Sequence, residues 1–236
     1  MKKLKSLLKD ERGSILPITV GIIFIALALL AVVVDFGRYS MTKEKLQTAG
    51  DAAALAGAKT GYRYVKLEID PGSQRECCGE EECSPCCVDC GDPFTVSGRE
   101  AYLLDNDGWE KYCCNCGCRY MKILDRWVEY DNHSDVVAAT NTLFQINQPE
   151  EMDALEGGNA DIAIDIRGDR KDPLYPSVIV KAQGTMKTVM MDIFKIFDPS
   201  ADFSTMDAST CSQGATYVKD VKNGRWSRPP SSSCSE

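Results

Sequence analysis

The feature that most constrains the fold is a run of twenty uncharged residues, Ile15–Val34. Leu, Ile and Val dominate this run, and Thr19 is its only polar side chain. At 1.5 Å of rise per residue, a helix of this length spans about 30 Å, the thickness of the hydrocarbon core of a bilayer. Only a helix satisfies all backbone groups there, because a single segment cannot close a barrel. We therefore predict a transmembrane helix that begins near Ser14, with Pro17 tolerated in its first turn.

The charges that flank this run predict its orientation. Residues 1–12 carry a net charge of +3 within a chain total of −8, so the remainder is strongly acidic. Basic segments beside a membrane helix stay in the cytoplasm. We expect residues 1–13 to form a cytoplasmic basic head and the acidic part to be exported, which argues against a nucleic-acid partner. A cleaved secretory signal is the alternative, although its apolar core would be shorter.

The helix is predicted to continue beyond the membrane, over residues 14–58 in all. Residues 35–58 are rich in helix formers and contain no proline. Apolar or small residues recur there at helical spacing on one face: Leu46, Ala49, Ala53 and Ala56. Small side chains let a second helix approach closely, so we expect this face to pack into a helix bundle. At the membrane edge, Asp35 is expected to pair with Arg38 or with a basic group of a neighbouring helix; the alternative is an ordinary interfacial charge.

The same stretch resembles a known family. The matching motifs are Arg12-Gly13, Val34-Asp35-x-Gly37 and Leu46-Gln47-x-Ala49-x-Asp51-Ala52-Ala53-Ala54-Leu55-Ala56-Gly57-Ala58. They resemble the N-terminal domain of the TadE/TadG-like proteins of bacterial Tad (Flp) pilus systems. The resemblance implies a pilin-like, single-pass protein of the bacterial cell membrane, or of an extracellular filament, that helps assemble or anchor an adhesive pilus. It implies pilin-like subunits, further copies of the chain and membrane components of a secretion platform as partners, besides the lipid bilayer.

A candidate processing site lies between Gly13 and Ser14. Pilin-like substrates of prepilin peptidases carry a glutamate five residues after the glycine, and this chain has Ile18 there. The missing carboxylate also removes a charge pairing with a neighbour's new N-terminus. The sequence therefore favours the uncleaved, TadG-like members of the family.

Twelve cysteines in an exported region indicate a disulfide framework. Ten of them form a block: Cys77, Cys78, Cys83, Cys86, Cys87, Cys90, Cys113, Cys114, Cys116 and Cys118. We expect disulfides to staple this block inside an insertion over residues 59–130 that lacks a core of its own. Two alternatives stay open: a redox-active pair, and a zinc site, since C-x-x-C spacing approaches that of a zinc ribbon at Cys87, Cys90, Cys113 and Cys116.

Residues 131–236 are predicted to form an exported α+β domain. A helix is expected from about Ser134 to the residue before Pro149. Alternating patterns predict three strands, and a Lys222-Asn223-Gly224 turn predicts a C-terminal hairpin. Cys211 and Cys234 bracket this hairpin and are expected to pair with each other. The apolar segment 189–197 is expected to pack in the core, with the membrane surface or another subunit as the alternative.

The sequence contains no recognisable catalytic constellation, so we do not expect an enzyme or a bound cofactor. The single histidine, His133, precedes the predicted helix and is expected to be exposed. Residues 105–108 are expected to form a turn, because a calcium loop would need ligands where Leu103 and Cys114 stand. The favoured function is structural. The alternatives are a membrane-anchored binding or adhesion module that uses the cysteine-rich insertion, and a metal-binding or thiol-redox envelope protein.

Overall fold

The computed structural model describes residues 15–77, 85–114, 116–191, 204–222, 224–227 and 234. Its helices are α1 (Ile15–Lys59) and α2 (His133–Asn147). Its strands are β1 (Tyr62–Asp70), β2 (Ser73–Cys77), β3 (Pro85–Asp89), β4 (Phe94–Arg99), β5 (Arg119–Glu129), β6 (Asn159–Arg167), β7 (Ser177–Lys187) and β8 (Thr205–Ala215). Short helical turns lie at Ala101–Asp105, Gly108–Tyr112, Glu150–Met152 and Ala154–Glu156. The predicted fold class, α+β with a long apolar N-terminal helix, is confirmed.

The chain divides into two compact units. The first comprises Met1–Ala49, Asn147–Ile162 and Ala182–Thr210, and the second comprises Gly50–Ile146, Ala163–Lys181 and Cys211–Glu236. Both units contain stretches that are far apart in sequence. The domain boundaries predicted at residues 13, 58 and 130 remain predictions.

The first unit contains the apolar half of α1. Ala31 is the only buried residue of the run from residue 15 to residue 34, and large side chains such as Leu29 and Val33 are more than half exposed. Among the described residues, this helix is long and apolar enough to cross a membrane by length and composition. Thr19, its one polar side chain, donates a hydrogen bond to the carbonyl of Ile15 at 2.9 Å. Asp35, directly after the apolar run, is completely buried.

The water-facing half of α1, residues 35–59, is amphipathic. Other parts of the same chain cover its small-residue face. Leu46, Ala49 and Ala53 have no exposed surface, and Ala56 is half-buried. Burial within a single chain shows that the chain itself covers these side chains. Packing of this face into a helix bundle stays a prediction.

The second unit shows how closely the chain approaches α1. Gly214 of β8 lies against the helix backbone, where a β-carbon would meet the carbonyl of Ala54 and come within 2.9 Å of the Leu55 nitrogen. The Thr216 hydroxyl donates to the carbonyl of Ala58. On α1 itself, Gly57 leaves room for the side chains of α2 and β7. Glycines therefore permit close approach at two separate contacts of this helix.

An antiparallel sheet in the order β4-β1-β5 builds a separate small core in the second unit. Alternate residues of β1 point inward, as expected for a strand with one buried face. The core consists of Val65, Leu67, Ile69, Val96 and Leu103. A two-stranded sheet of β2 and β3 adjoins the cysteine block.

The other three strands form a sheet in the order β6-β7-β8. In β7, Val178, Ile179 and Val180 are all buried, so this central strand has little exposed surface. The three strands predicted for this region are present, with β8 over Thr205–Ala215. The apolar segment predicted over residues 189–197 lies mostly outside the described residues.

The predicted helix α2 and C-terminal hairpin are also present. Asn132 caps α2, because its side-chain oxygen accepts from the Ser134 nitrogen at 3.1 Å. In the hairpin, Lys219 and Trp226 form an antiparallel β-bridge, and the Asp220 nitrogen donates to the carbonyl of Arg225 at 2.7 Å. Val136, Thr140 and Phe144 are the buried residues of α2. The spacing of Val136, Ala139, Leu143 and Ile146 predicts a buried face, which is right for Val136 and wrong for Ile146, because Ile146 is 72% exposed.

We predict that Gly214→Ala destabilises the protein by about 1–3 kcal/mol, because the new methyl group must displace helix backbone. Gly37→Ala, at an exposed helical position with nothing within 4 Å of the added atom, is the matched control. It should leave stability unchanged or raise it by up to about 1 kcal/mol, because alanine favours the helix. Thermal unfolding of both variants in detergent checks this. Equal effects of the two substitutions would contradict the close approach at Gly214.

Candidate functional site

Asp35 holds the most unusual polar arrangement of the described residues. It follows directly on the apolar run and is completely buried. Its carboxylate accepts hydrogen bonds from three consecutive backbone N–H groups, those of Val189 at 3.1 Å, Met190 at 2.8 Å and Met191 at 2.6 Å. Hydrogen bonds to an ionised acceptor are about twice as strong as neutral ones. A charge that would be costly to bury is thereby satisfied by the backbone.

Arg38, a partner of Asp35 expected from the sequence, contributes less to stabilising the buried carboxylate. The Arg38 guanidinium lies 4.0 Å from the Asp35 carboxylate and is 37% exposed, so this ion pair is a weak one. Val189–Met191 could not be identified as the main partner from sequence, because backbone N–H groups carry no residue signature. The only available signal was a lone carboxylate at the end of an apolar run.

Beside this contact lies a charged cleft of about 650 Å³. It is lined by Arg38, Lys187, Thr188, Glu150, Glu151 and Glu156. Lys45 contacts Glu151 at 2.7 Å, and this hydrogen bond lowers the pKa of Glu151 from its usual value. Because Lys45 pairs with Glu151, three cations face three carboxylates here, and the cleft has no strong net charge.

The cysteine block contains disulfides, as predicted. Cys90 is bonded to Cys114, and Cys113 to Cys118. The adjacent Cys113 and Cys114 therefore bond to different partners. Cys211 is bonded to Cys234, the pair expected from their positions around the hairpin. Cys86 is also disulfide-bonded.

Two cysteines expected in disulfides, Cys87 and Cys116, are free thiols. Cys87 follows Cys86 along β3. Because adjacent residues of a strand point to opposite faces of the sheet, the two thiols point in opposite directions. The candidate zinc set is altered too, since Cys90 and Cys113 are occupied in disulfides. In the described part of the chain, no group of three or more potential ligands is placed to hold a metal.

The other candidates from the sequence occupy ordinary positions. His133 is an exposed residue at the start of α2. Residues 105–108 join two short helical turns, with Asp107 in the left-handed region at φ 50°. Gly13 and Ser14, the candidate processing site, as well as Cys78 and Cys83, lie outside the described residues. The side chain of Cys77 does as well.

Comparison with known families bears on the segment that carries the Asp35 contact. Residues 13–60 match a family model described as putative Flp pilus-assembly TadE/G-like. The resemblance stated from the sequence is confirmed for this segment, which covers α1 with two residues before it and one after it. No curated protein and no solved structure matches the chain significantly. The TadE/G-like segment supports a pilus-related, structural role for a membrane-anchored envelope protein associated with pilus components.

We predict that Asp35→Ala lowers stability by about 3 kcal/mol, because it leaves three backbone donors without their acceptor. Glu44→Gln, which removes an exposed carboxylate from the same helix, is the control and should change stability by less than about 0.5 kcal/mol. Thermal unfolding of the full chain in detergent measures both. Similar small effects would show that the Asp35 contact contributes little to stability.

A second prediction concerns the cysteines. Alkylation of the folded protein without reductant should modify Cys87 and Cys116 and leave Cys90, Cys113, Cys114, Cys118, Cys211 and Cys234 unmodified, because a disulfide sulfur is not a nucleophile. Peptide mapping should recover the links Cys90–Cys114, Cys113–Cys118 and Cys211–Cys234. Modification of Cys90 and Cys113 together with bound zinc would instead support the metal alternative.

Proposed function

We propose that this protein is a structural subunit or an anchoring factor of a Tad (Flp)-type pilus. The observation that carries the proposal is the TadE/G-like match over residues 13–60, which coincides with one long helix of two different halves. The apolar half is suited to the bilayer or to the core of a filament. The second half bears an exported domain. The proposed orientation has the N-terminus in the cytoplasm, following the basic residues 1–12.

The exposed face of α1 is the surface proposed to contact other pilus components. The small-residue face is covered by the chain itself, whereas Met41 and Leu55 are 67% and 62% exposed on the water-facing half. These two residues lie fourteen positions apart, close to four helical turns, so they face similar directions. Apolar side chains presented in this way are suited to packing against an apolar helix of another subunit.

We predict that Met41→Lys and Leu55→Lys each reduce the number of pili, because a charge at an apolar helix contact opposes packing. Ser40→Lys introduces the same charge at an exposed polar position and should leave piliation near normal. The measurement is a count of pili by electron microscopy in a deletion strain complemented with each variant. Membrane fractions should contain equal amounts of each folded variant.

The outcomes separate the parts of the proposal. Normal piliation in the deletion strain would overturn a pilus role altogether. Pilus loss in the deletion strain, with normal piliation in both lysine variants, would overturn the proposed helix contact. Cross-linking in membranes should also join the wild-type chain to pilus components and fail with the two variants.

A membrane-anchored binding or adhesion module is the second candidate. It is favoured by apolar side chains that are exposed on β4 and β5 of the cysteine-rich insertion: Phe94, Tyr120 and Met121 are 38%, 44% and 48% exposed. Such a module would tolerate the lysine substitutions on α1. It would instead lose adhesion, with pili intact, when Tyr120 and Met121 are replaced by serine.

A further inference from the structure

We propose that the turn Thr188–Met191 is a membrane-contact turn, whose apolar side chains lie in the interfacial layer of the bilayer that α1 crosses. Val189 and Met190 are 59% and 47% exposed. Their backbone N–H groups are held by the Asp35 carboxylate at 3.1 and 2.8 Å. The turn therefore presents two apolar side chains to its surroundings from a backbone that is bonded to the helix.

The position of the turn relative to the membrane follows from its hydrogen bonds to Asp35. Asp35 comes directly after Val34, the last residue of the apolar run, and one residue of helix rises only 1.5 Å. Backbone atoms within 3.1 Å of its carboxylate consequently lie within a few ångströms of the end of the membrane span. Phe36, 62% exposed, lies at the same level of the helix. This level is the boundary between hydrocarbon and headgroups.

Lipid is the occupant that the surroundings favour. The turn is bonded to Asp35, directly beyond the apolar run, where Val33 is 67% exposed and must contact lipid if α1 is inserted. Nearby charge does not select an anionic headgroup, because three cations face three carboxylates in the cleft above the turn. We therefore expect an apolar contact that is indifferent to headgroup charge.

The proposal depends on insertion of α1 into a bilayer and is independent of the pilus role. It adds a second membrane contact, 154 residues beyond Asp35 in sequence, to the one made by the helix. Two contacts would restrict the tilt of the first unit on the membrane, whereas a helix alone would leave the unit free to swing.

The test places a genetically encoded fluorescent amino acid at one position at a time in the full chain. The protein is reconstituted as single copies in phosphatidylcholine nanodiscs that contain nitroxide-labelled lipids. Position 190 reports on the turn. Position 33 is the control within the span, and position 44 is the exposed control, nine residues and about 13 Å beyond Asp35 along the helix.

We expect nitroxides near the headgroup to quench the probe at position 190 strongly, while the probe at position 44 stays near background. Quenching at position 190 as weak as at position 44, with position 33 quenched, would overturn the proposal. Quenching at position 33 shows that α1 is inserted, so failure of the anchor and failure of the turn are distinguishable.

Two further arms identify the occupant. Addition of phosphatidylglycerol should leave the quenching at position 190 unchanged, and a requirement for anionic lipid would contradict an apolar contact. Shielding of position 190 only in discs with two or more copies would assign the turn to a neighbouring chain instead of lipid. Asp35→Ala should remove most of the quenching at position 190 and retain it at position 33, whereas unchanged quenching would show that the carboxylate does not hold the turn.

Discussion

The buried carboxylate of Asp35 is the interaction on which the organisation of the first unit depends. A charge without exposed surface is stable only when it is fully hydrogen-bonded, and three consecutive N–H groups meet that requirement. The bond joins the helix, at the end of its apolar run, to the chain that follows β7. Nearby, Tyr39 donates to the carbonyl of Asp207 at 3.1 Å, which also brings β8 to the helix. Together these contacts attach the returning chain to α1 where it leaves the apolar run.

The helix serves two environments with different rules. Over residues 15–34, apolar side chains are exposed almost all round, which suits lipid. Beyond Asp35, one face of α1 consists mainly of small residues and is buried. The opposite face carries polar side chains, and Met41 and Leu55 are exposed among them. The chain's own domain therefore covers part of this pilin-like helix. What is left for other subunits is the apolar half and the exposed face.

The cysteine region illustrates how a segment with few apolar residues keeps its shape. The sheet β4-β1-β5 has a small core of its own, and the Cys90–Cys114 and Cys113–Cys118 bonds restrain the chain beside it. Backbone bonds add to this: the Ser73 nitrogen donates to the Cys116 carbonyl at 2.7 Å, and the Cys116 nitrogen returns a bond to Ser73 at 2.8 Å. The free thiols of Cys87 and Cys116 show that cysteine spacing alone does not determine connectivity.

Local rules in the sequence determined the helices and most of the strands. An uncharged run of bilayer length predicts α1, alternation predicts β6 and β7, and α2 agrees with the helix expected from about Ser134. The small-residue face of α1 was also visible, but what covers it was not, because small side chains permit the approach of a foreign helix and of the same chain equally. The partner of Asp35 was hidden for a related reason, since a backbone N–H is present in nearly every residue. Only the tertiary structure decided these two points, because both depend on which distant segment reaches the helix.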